Sequence, residues 1–285
     1  MSRHINFNGS HIPANEPQIM ADNRGFCYGD GIFETIRCLN SQPLFFSNHY
    51  HRIADSLKLI NIQLPDAYTE QYFRLQINKL LQKNRLYKAA RVRLSIFRNQ
   101  GGFYTPANNS ASFIITATEY EDEYFSLPAQ GLKTGIYSEQ LKPISPLSKL
   151  KTSSSLFYVL AGIWKSANKL DDCFILNQEQ KIIEGLSSNL FLVKNKVLYT
   201  TTNECGCVDG TMRKTIIEIA SGNNIEVKYT NGFTEKDIEV VDEILLTNAI
   251  QGVHFVSAFR NRRYYHKMGA WFINQLNELI KEELG

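Results

Sequence analysis

Apolar positions along this chain recur with two periods, and they sort it into two kinds of element. In "ARVRLSIF", Val92, Leu94 and Ile96 alternate with Arg91, Arg93 and Ser95, as in a half-exposed strand. "GIFETIRCL" and "PLFF" read as strands joined by "NSQ", and "SASFIITATEY" as another strand. Between them, "SNHYHRIADSLKLI" sets Ile53, Leu57 and Ile60 on one helical face, with Ser47 or Asn48 as N-cap. "DAYTEQYFRLQINKLLQKN" repeats the logic with Phe73, Ile77 and Leu80. The segment 121–131, "EDEYFSLPAQG", is charged and then breaks on Pro and Gly, which marks a connection.

Beyond it, "SSSLFYVLAGIWKSANKL" predicts a helix with Leu156, Leu160 and Ile163 aligned. A meander of short strands follows: "DCFILN", "KIIEG", "NLFLVKN" and "KVLYTT". Asn177-Gln178 and Asn195-Lys196 stand where tight turns belong. "TMRKTIIEIASG" predicts a short helix with Gly222 as its C′ residue, and "DEILLTN" another strand. The C-terminal helix lines up Phe272, Leu276 and Leu279. Strands and helices mix without regular βαβ alternation, so the expectation is α+β in two domains: 1–122, a connecting loop 123–131, and 132–285. There is no internal repeat.

Composition narrows the class. The 285 residues suffice for two modest domains, and 43% hydrophobic with 12% aromatic content suits a globular core. Lys+Arg 31 against Asp+Glu 28 is too balanced for nucleic acid to be the main partner. The five cysteines are odd in number and scattered, unlike a disulfide framework. Cys205-Gly-Cys207 lacks a second Cys or His pair nearby, so free thiols are preferred to a zinc site and no metal is expected. The start, "MSRHINFNGSHIPANE", lacks the apolar core of a signal peptide, and no run approaches a membrane span, so a cytoplasmic protein is expected.

Candidate chemistry sits in a few stretches. In "EGLSSNLFLV", Glu184 lies between two buried-looking runs. It is either a solvated strand-end carboxylate or a buried one, and a buried one needs a cation. Lys151 precedes a helix start, and Arg52 lies early in a helix, where a guanidinium suits a phosphate as well as solvent. In "CVDGTMR", 207–213, a Gly before a helix start offers backbone N–H groups and a positive dipole end to an anion. "LTNAIQGV", 246–253, offers further donors or a simple turn. "DNRGFCYGDGIFETIR" is Gly-rich but is neither a GxGxxG nor a P-loop motif.

Taken in order, "DNRGFCYGDGIFETIR", "HYHR", "LKTSSSLFYVLA", "EGLSSNLF", "LYT", "VDGTMR" and "DEILLTNAIQGV" resemble the class IV aminotransferases, the fold-type IV pyridoxal-phosphate enzymes. These include branched-chain and D-amino acid aminotransferases and 4-amino-4-deoxychorismate lyase. The resemblance implies a two-domain α+β fold of the D-amino acid aminotransferase type, with pyridoxal 5'-phosphate between the domains, and a homodimer. It implies that Lys151 forms the Schiff base and shuttles the Cα proton, and that Glu184 faces the pyridine nitrogen. It assigns Arg52, Thr211, Met212, Asn248 and Ala249 to the phosphate side, and Ser187, Ser188 and Asn189 to the cofactor pocket. Leu186 and Thr211 depart from the family signature, where a small and an aliphatic residue are usual.

The resemblance leaves two reactions open. "GIFETIR" with Thr35, "VDGTMR" and "TNAIQGV" stand closer to lyase sequences. In "RNQGGFYTP" the arginine of the lyase loop is replaced by Phe103, and Leu156 and Ser154 stand where a tyrosine or asparagine meets the ring phenolate in relatives. Phe33, Thr35 and Arg98, with Arg24 and Arg37, are substrate-side candidates. The general expectation is an aminotransferase acting on an amino acid and keto acid, with aminodeoxychorismate lyase as the alternative and a non-catalytic binding member as the outside one.

Overall fold

The alternating runs of the first half pair into one antiparallel sheet in the computed structural model of the chain. The structure describes residues 3–16 and 18–285; the first two residues of the opening segment weighed for a leader lie outside the described residues. The chain forms two compact units. The first comprises Met1–Glu123, Lys151–Ser154 and Glu283–Gly285, and the second Tyr124–Leu150 and Ser155–Glu282.

In the first unit the elements run β1 (His4–Phe7), β2 (Ser10–Pro13), α1 (Arg24–Tyr28), β3 (Gly31–Leu39), β4 (Gln42–Pro43), α2 (Phe46–Leu59), α3 (Glu70–Lys83), β5 (Ala90–Arg98) and β6 (Ala111–Glu119). The sheet order is β2-β1-β6-β5-β3-β4. One face carries Ile32, Ile36, Val92, Leu94 and Ile96, which share a core with Ile53, Leu57, Phe73, Ile77 and Leu80 of α2 and α3. Each such buried side chain is worth roughly 1.5–3 kcal/mol. Two local expectations need correcting. "PLFF" is not a strand: pairing stops at Pro43, and Phe45 turns left-handed (φ 52) to start α2. Neither Ser47 nor Asn48 caps that helix. The Ser47 hydroxyl instead donates to Glu70 across to α3, at 2.8 Å.

The second unit contains β7 (Leu132–Lys142), α4 (Leu156–Ala167), β8 (Asp172–Asn177), β9 (Ile182–Gly185), β10 (Asn189–Lys194), β11 (Val197–Thr201), α5 (Thr211–Gly222), β12 (Val227–Thr230), α6 (Glu235–Glu239), β13 (Glu243–Asn248), β14 (Gly252–Phe259), β15 (Arg262–Arg263) and α7 (Lys267–Leu284). The sheet runs β12-β11-β10-β13-β14-β7-β8-β9 and turns back on itself, because β9 also pairs β10 through Glu184 and Asn189. Glu184 thus lies where a ring of six strands closes. Asn195 and Lys196, both left-handed (φ 51 and 66), make the tight β10–β11 turn. α5 runs through Gly222 and is capped by Asn223, so Gly222 is its last residue and not the residue beyond it. In α4 only Ala161 is fully buried, and Leu156 and Ile163 face outward. None of the described helices is long and apolar enough to cross a membrane.

Candidate active site

In the first unit, β3 alternates between two surroundings. Ile32, Glu34 and Ile36 point to the core face, while Phe33 and Thr35 on the other are half-exposed. A carboxylate on a core face needs a cation. α2 supplies it, because His49 and Arg52 are three residues apart and share a helix face. Arg52 grips Glu34 with two prongs, Nε to Oε1 at 2.7 Å and Nη2 to Oε2 at 2.5 Å, and His49 Nδ1 is 2.6 Å from Oε2. Burial alone would raise the Glu34 carboxyl, but Arg52 and His49 overcome it and hold it at about 2. Burial dominates for His49 and pushes it below the ordinary imidazole value, with the Arg52 and Lys151 charges adding to the effect.

Lys151 reaches the same unit through its backbone. Phe33 donates its N–H to the Lys151 carbonyl and Ser153 donates to the Gly31 carbonyl, each at 2.9 Å. That pairing lays 151–154 along the start of β3. The Lys151 amine sits 4.3 Å from the Phe33 ring centroid, a cation–π distance. The Arg93 guanidinium lies 3.7 Å from the same ring. Arg98 is engaged elsewhere: Nε donates to Asp30 at 2.9 Å, Nη2 to the Ile60 carbonyl at 2.8 Å, and Nη1 to Asn109 Oδ1 and to the Asn61 carbonyl. Four of its five donors are therefore committed to holding loops. Arg24 is likewise bound to Asp30 and to the carbonyls of Gly101, Gly102 and Phe103. Burial would raise Asp30, but hydrogen bonds from Arg98 and Arg24 keep it below the usual carboxylate value.

In the second unit, Glu184 is 2% exposed and accepts three hydrogen bonds from the chain itself. Lys142 Nζ donates to Oε1 at 2.7 Å, the Tyr158 hydroxyl donates to Oε1 at 2.8 Å, and the Val208 N–H donates to Oε2 at 2.8 Å. Burial, then the Glu184 charge, raises the Tyr158 phenol well above its ordinary value, so it stays a donor. The turn after Glu184 is shaped by Asp172, whose Oδ1 accepts the N–H groups of Leu186 at 3.0 Å and Cys173 at 2.7 Å.

Asn189 is the hub of this half. It pairs Glu184 on one side and Thr247 on the other, and its Nδ2 donates to the Val208 carbonyl at 2.7 Å. Gly210, the residue before α5, packs so close that a Cβ there would stand 1.7 Å from Asn189 Oδ1. No side chain caps α5, so Thr211 and Met212 begin a buried helix turn with its N–H groups and positive dipole end unclaimed by any cap. Among the described residues, Thr247 Oγ1, on the strand position opposite Asn189, and Ser188 Oγ, against Gly185, are buried hydroxyls that lack a hydrogen-bond partner. An uncapped helix end with two orphaned hydroxyls is a donor set suited to phosphate oxygens. Asn248 folds its side chain into the β13–β14 turn, accepting from Ile250 and Gln251, with Ala249 half-buried beside it. Ser187 is exposed. Cys205 and Cys207 are free thiols, and among the described residues no group of three His, Cys, Asp or Glu could hold a metal.

The family profile described as "Amino-transferase class IV" matches residues 31–259. This chain belongs to the class IV aminotransferase family. It is 25% identical to an aminodeoxychorismate lyase of Vibrio harveyi over 250 residues, 87% of each chain. It is 24% identical to a D-alanine aminotransferase of Listeria innocua over 241 residues, 83% of this chain and 81% of that one. Among solved structures, it resembles the branched-chain aminotransferase of the archaeon Thermoproteus uzoniensis with norvaline, at TM-score 0.86 and 20% identity, covering 98% of this chain and 95% of that one. A further branched-chain amino acid aminotransferase of this fold, solved with pyridoxamine 5'-phosphate, matches at TM-score 0.82 and 22% identity, covering 99% of this chain and 94% of that one.

Sequence reasoning missed Lys142, Tyr158, Glu34 and His49. For Glu34 a signal existed: the alternation Ile32, Glu34, Ile36 puts a carboxylate on a core face, and "HYHR" places a histidine and an arginine three apart. For Lys142 and Tyr158 there was none, because strand pairing brings Lys142 to Glu184 and the packing of α4 brings Tyr158.

Proposed function

We propose that this chain is a pyridoxal 5'-phosphate enzyme that acts on the amino group of an amino acid or an amino-acid-like substrate, as an aminotransferase. The observation that carries the reading is that the second unit holds a buried Glu184 paired with Lys142, an uncapped α5 and two orphaned hydroxyls. When bound, the cofactor supplies an aldehyde for an amine and a ring that accepts electrons from the adjoining Cα. Lys151 would hold it through Nζ and afterwards carry the Cα proton. Glu184 would keep the ring nitrogen protonated, and the first N–H groups of α5 with Ser188 and Thr247 would hold the phosphate. Arg52 enters through its ion pair with Glu34, which fixes the guanidinium on the α2 face.

The purified protein is expected to be yellow. Lys151→Ala should lose the covalently held chromophore. A wild type that takes up no pyridoxal phosphate at micromolar levels overturns the reading. The second reading is aminodeoxychorismate lyase, favoured by the similarity to the Vibrio harveyi enzyme over 87% of both chains. Release of 4-aminobenzoate from aminodeoxychorismate without a keto acid supports the lyase, and turnover only with an added 2-keto acid supports transamination.

The chain's partners would be small molecules and a second copy of itself. The outward stripe of α4 is the feature that supports a homodimer. Free thiols at all five cysteines fit a cytoplasmic location.

A further inference from the structure

Glu184 accepts three hydrogen bonds from within its own unit, and their distribution is uneven. A carboxylate has about four acceptor directions, two on each oxygen. Oε1 spends both, on Lys142 Nζ and on the Tyr158 hydroxyl. Oε2 spends one, on the Val208 N–H. One direction remains, and it belongs to Oε2. The ion pair is also buried on both sides, with Lys142 6% and Glu184 2% exposed. The carboxylate is therefore neutralised by the chain before any ligand arrives.

The strands around the pair are irregular where it sits. On β7 the register against β8 passes from Tyr137 opposite Ile175 to Lys142 opposite Asn177, five residues on one strand against two on the other. On β9 it passes from Glu184 opposite Ile175 to Ile182 opposite Leu176, two residues against one. Bulges re-aim side chains, and here two of them flank β8 and turn a lysine and a glutamate towards each other. Simple burial of a core needs no such device. A buried ion pair is moreover poor value as stability, since apolar residues of similar volume often do as well.

We propose that Lys142 and Tyr158 are positioning residues, which keep Glu184 ionised and leave its Oε2 as the one acceptor for the ring nitrogen of the cofactor. This rests on the pyridoxal-phosphate reading above. Lys142 cancels the carboxylate's desolvation, and Tyr158 blocks the second direction on Oε1. Together they fix which oxygen faces the ligand. The Glu184 charge in turn opposes ionisation of the neighbouring Cys205 and Cys207 thiols.

The test uses the full-length protein as wild type, Lys142→Met, Lys142→Arg, Tyr158→Phe, Glu184→Gln and the double variant Lys142→Met/Glu184→Gln. The first readout needs no cofactor. In apoprotein, Lys142→Met buries a carboxylate without its cation, so the fold favours taking up a proton. Its stability deficit should be larger at pH 8 than at pH 5. Adding Glu184→Gln should remove that pH dependence, and Lys142→Arg should keep wild-type behaviour. The second readout is the visible absorption of protein loaded with pyridoxal 5'-phosphate. Lys142→Met and Glu184→Gln should displace the band's pH titration in the same sense, by at least about one pH unit, a tenfold change in proton affinity. Tyr158→Phe should displace it less, and the double variant no further than either single change. A pH-independent deficit in Lys142→Met, or displacements that add up in the double variant, overturns the proposal. A wild type that binds no pyridoxal phosphate overturns the functional reading and the ring-nitrogen part of the proposal together. The apoprotein arm still decides whether Lys142 acts through Glu184.

Discussion

At the scale of single residues, two of the carboxylates buried in strands, Glu34 and Glu184, are each answered by a cation from another element. Glu34 gives a measurable consequence. It is held at about 2 in the fold, against 4.5 ordinarily. A carboxyl with a depressed value contributes stability that is whole above 4.5 and is lost as the pH falls towards 2. His49 is held below 6.5, so the unfolded chain takes its proton first on acidification. Both effects have one sign, and stability should fall steadily from pH 7 to pH 3. Glu34→Gln leaves the Arg52 cation buried without its partner, at a cost of about 3–5 kcal/mol at neutral pH. Its urea midpoint should also lose the part of the slope below pH 4.5. A variant with wild-type stability and an unchanged slope would show that the Arg52–Glu34 pair is not the source. Glu34 was legible in outline, from a period-2 pattern with one charged member. The sequence also raised the question of what cation meets Glu184, and pointed to a ring nitrogen. The structure adds a second answer, Lys142, which lies 42 residues away along the chain and reaches Glu184 only because β7 and β9 both border β8.

Elements were legible where one local rule governs them. β5 follows its alternation, α3 follows its apolar face, and Asn195-Lys196 forms the turn its position implied. The rule failed where a side chain had a better partner in tertiary structure, as with Ser47, or where pairing slipped between strands, as in β7. A bulge is a mismatch in count between two strands, so neither strand's sequence encodes it alone. The α5 terminus combines both cases. "VDGT" announced a helix start, but the need for glycine comes from Asn189, across a strand boundary. Gly210→Ala would drive its Cβ to 1.7 Å from Asn189 Oδ1. Overpacking of this kind costs about 1–3 kcal/mol. It also displaces the first turn of α5 or breaks the Asn189–Val208 hydrogen bond, so the loss should extend to binding of pyridoxal phosphate. Adding Asn189→Ala removes the obstructing oxygen and should return part of the stability. If Gly210→Ala folds and melts as the wild type does, Asn189 is not what requires a glycine there.

For the molecule as a whole, the element that agrees least with a solitary chain is α4. Leu156, Val159 and Ile163 are 68%, 53% and 61% exposed, and they recur at i, i+3 and i+7. That spacing puts them on one stripe, the kind of face a helix normally buries. The sequence aligned Leu156, Leu160 and Ile163, of which Leu156 and Ile163 lie on the exposed stripe with Val159 in place of Leu160; a period says only that a face is apolar and never which body covers it. Burying each side chain in an interface is worth roughly 1.5–3 kcal/mol. Association must in turn offset several kcal/mol of lost translational and rotational freedom, so the stripe has to belong to a larger contact, above about 1,000 Å² in total. Sedimentation over a hundredfold range of concentration should find a dimer that weakens on dilution. Leu156→Glu with Ile163→Glu should shift it to monomer, because two carboxylates would have to be desolvated at the contact. Both positions already face water, so far-UV circular dichroism should not change. Persistence of the dimer in the double variant would move the interface off α4. A wild type that stays monomeric at every concentration would leave the stripe needing another partner.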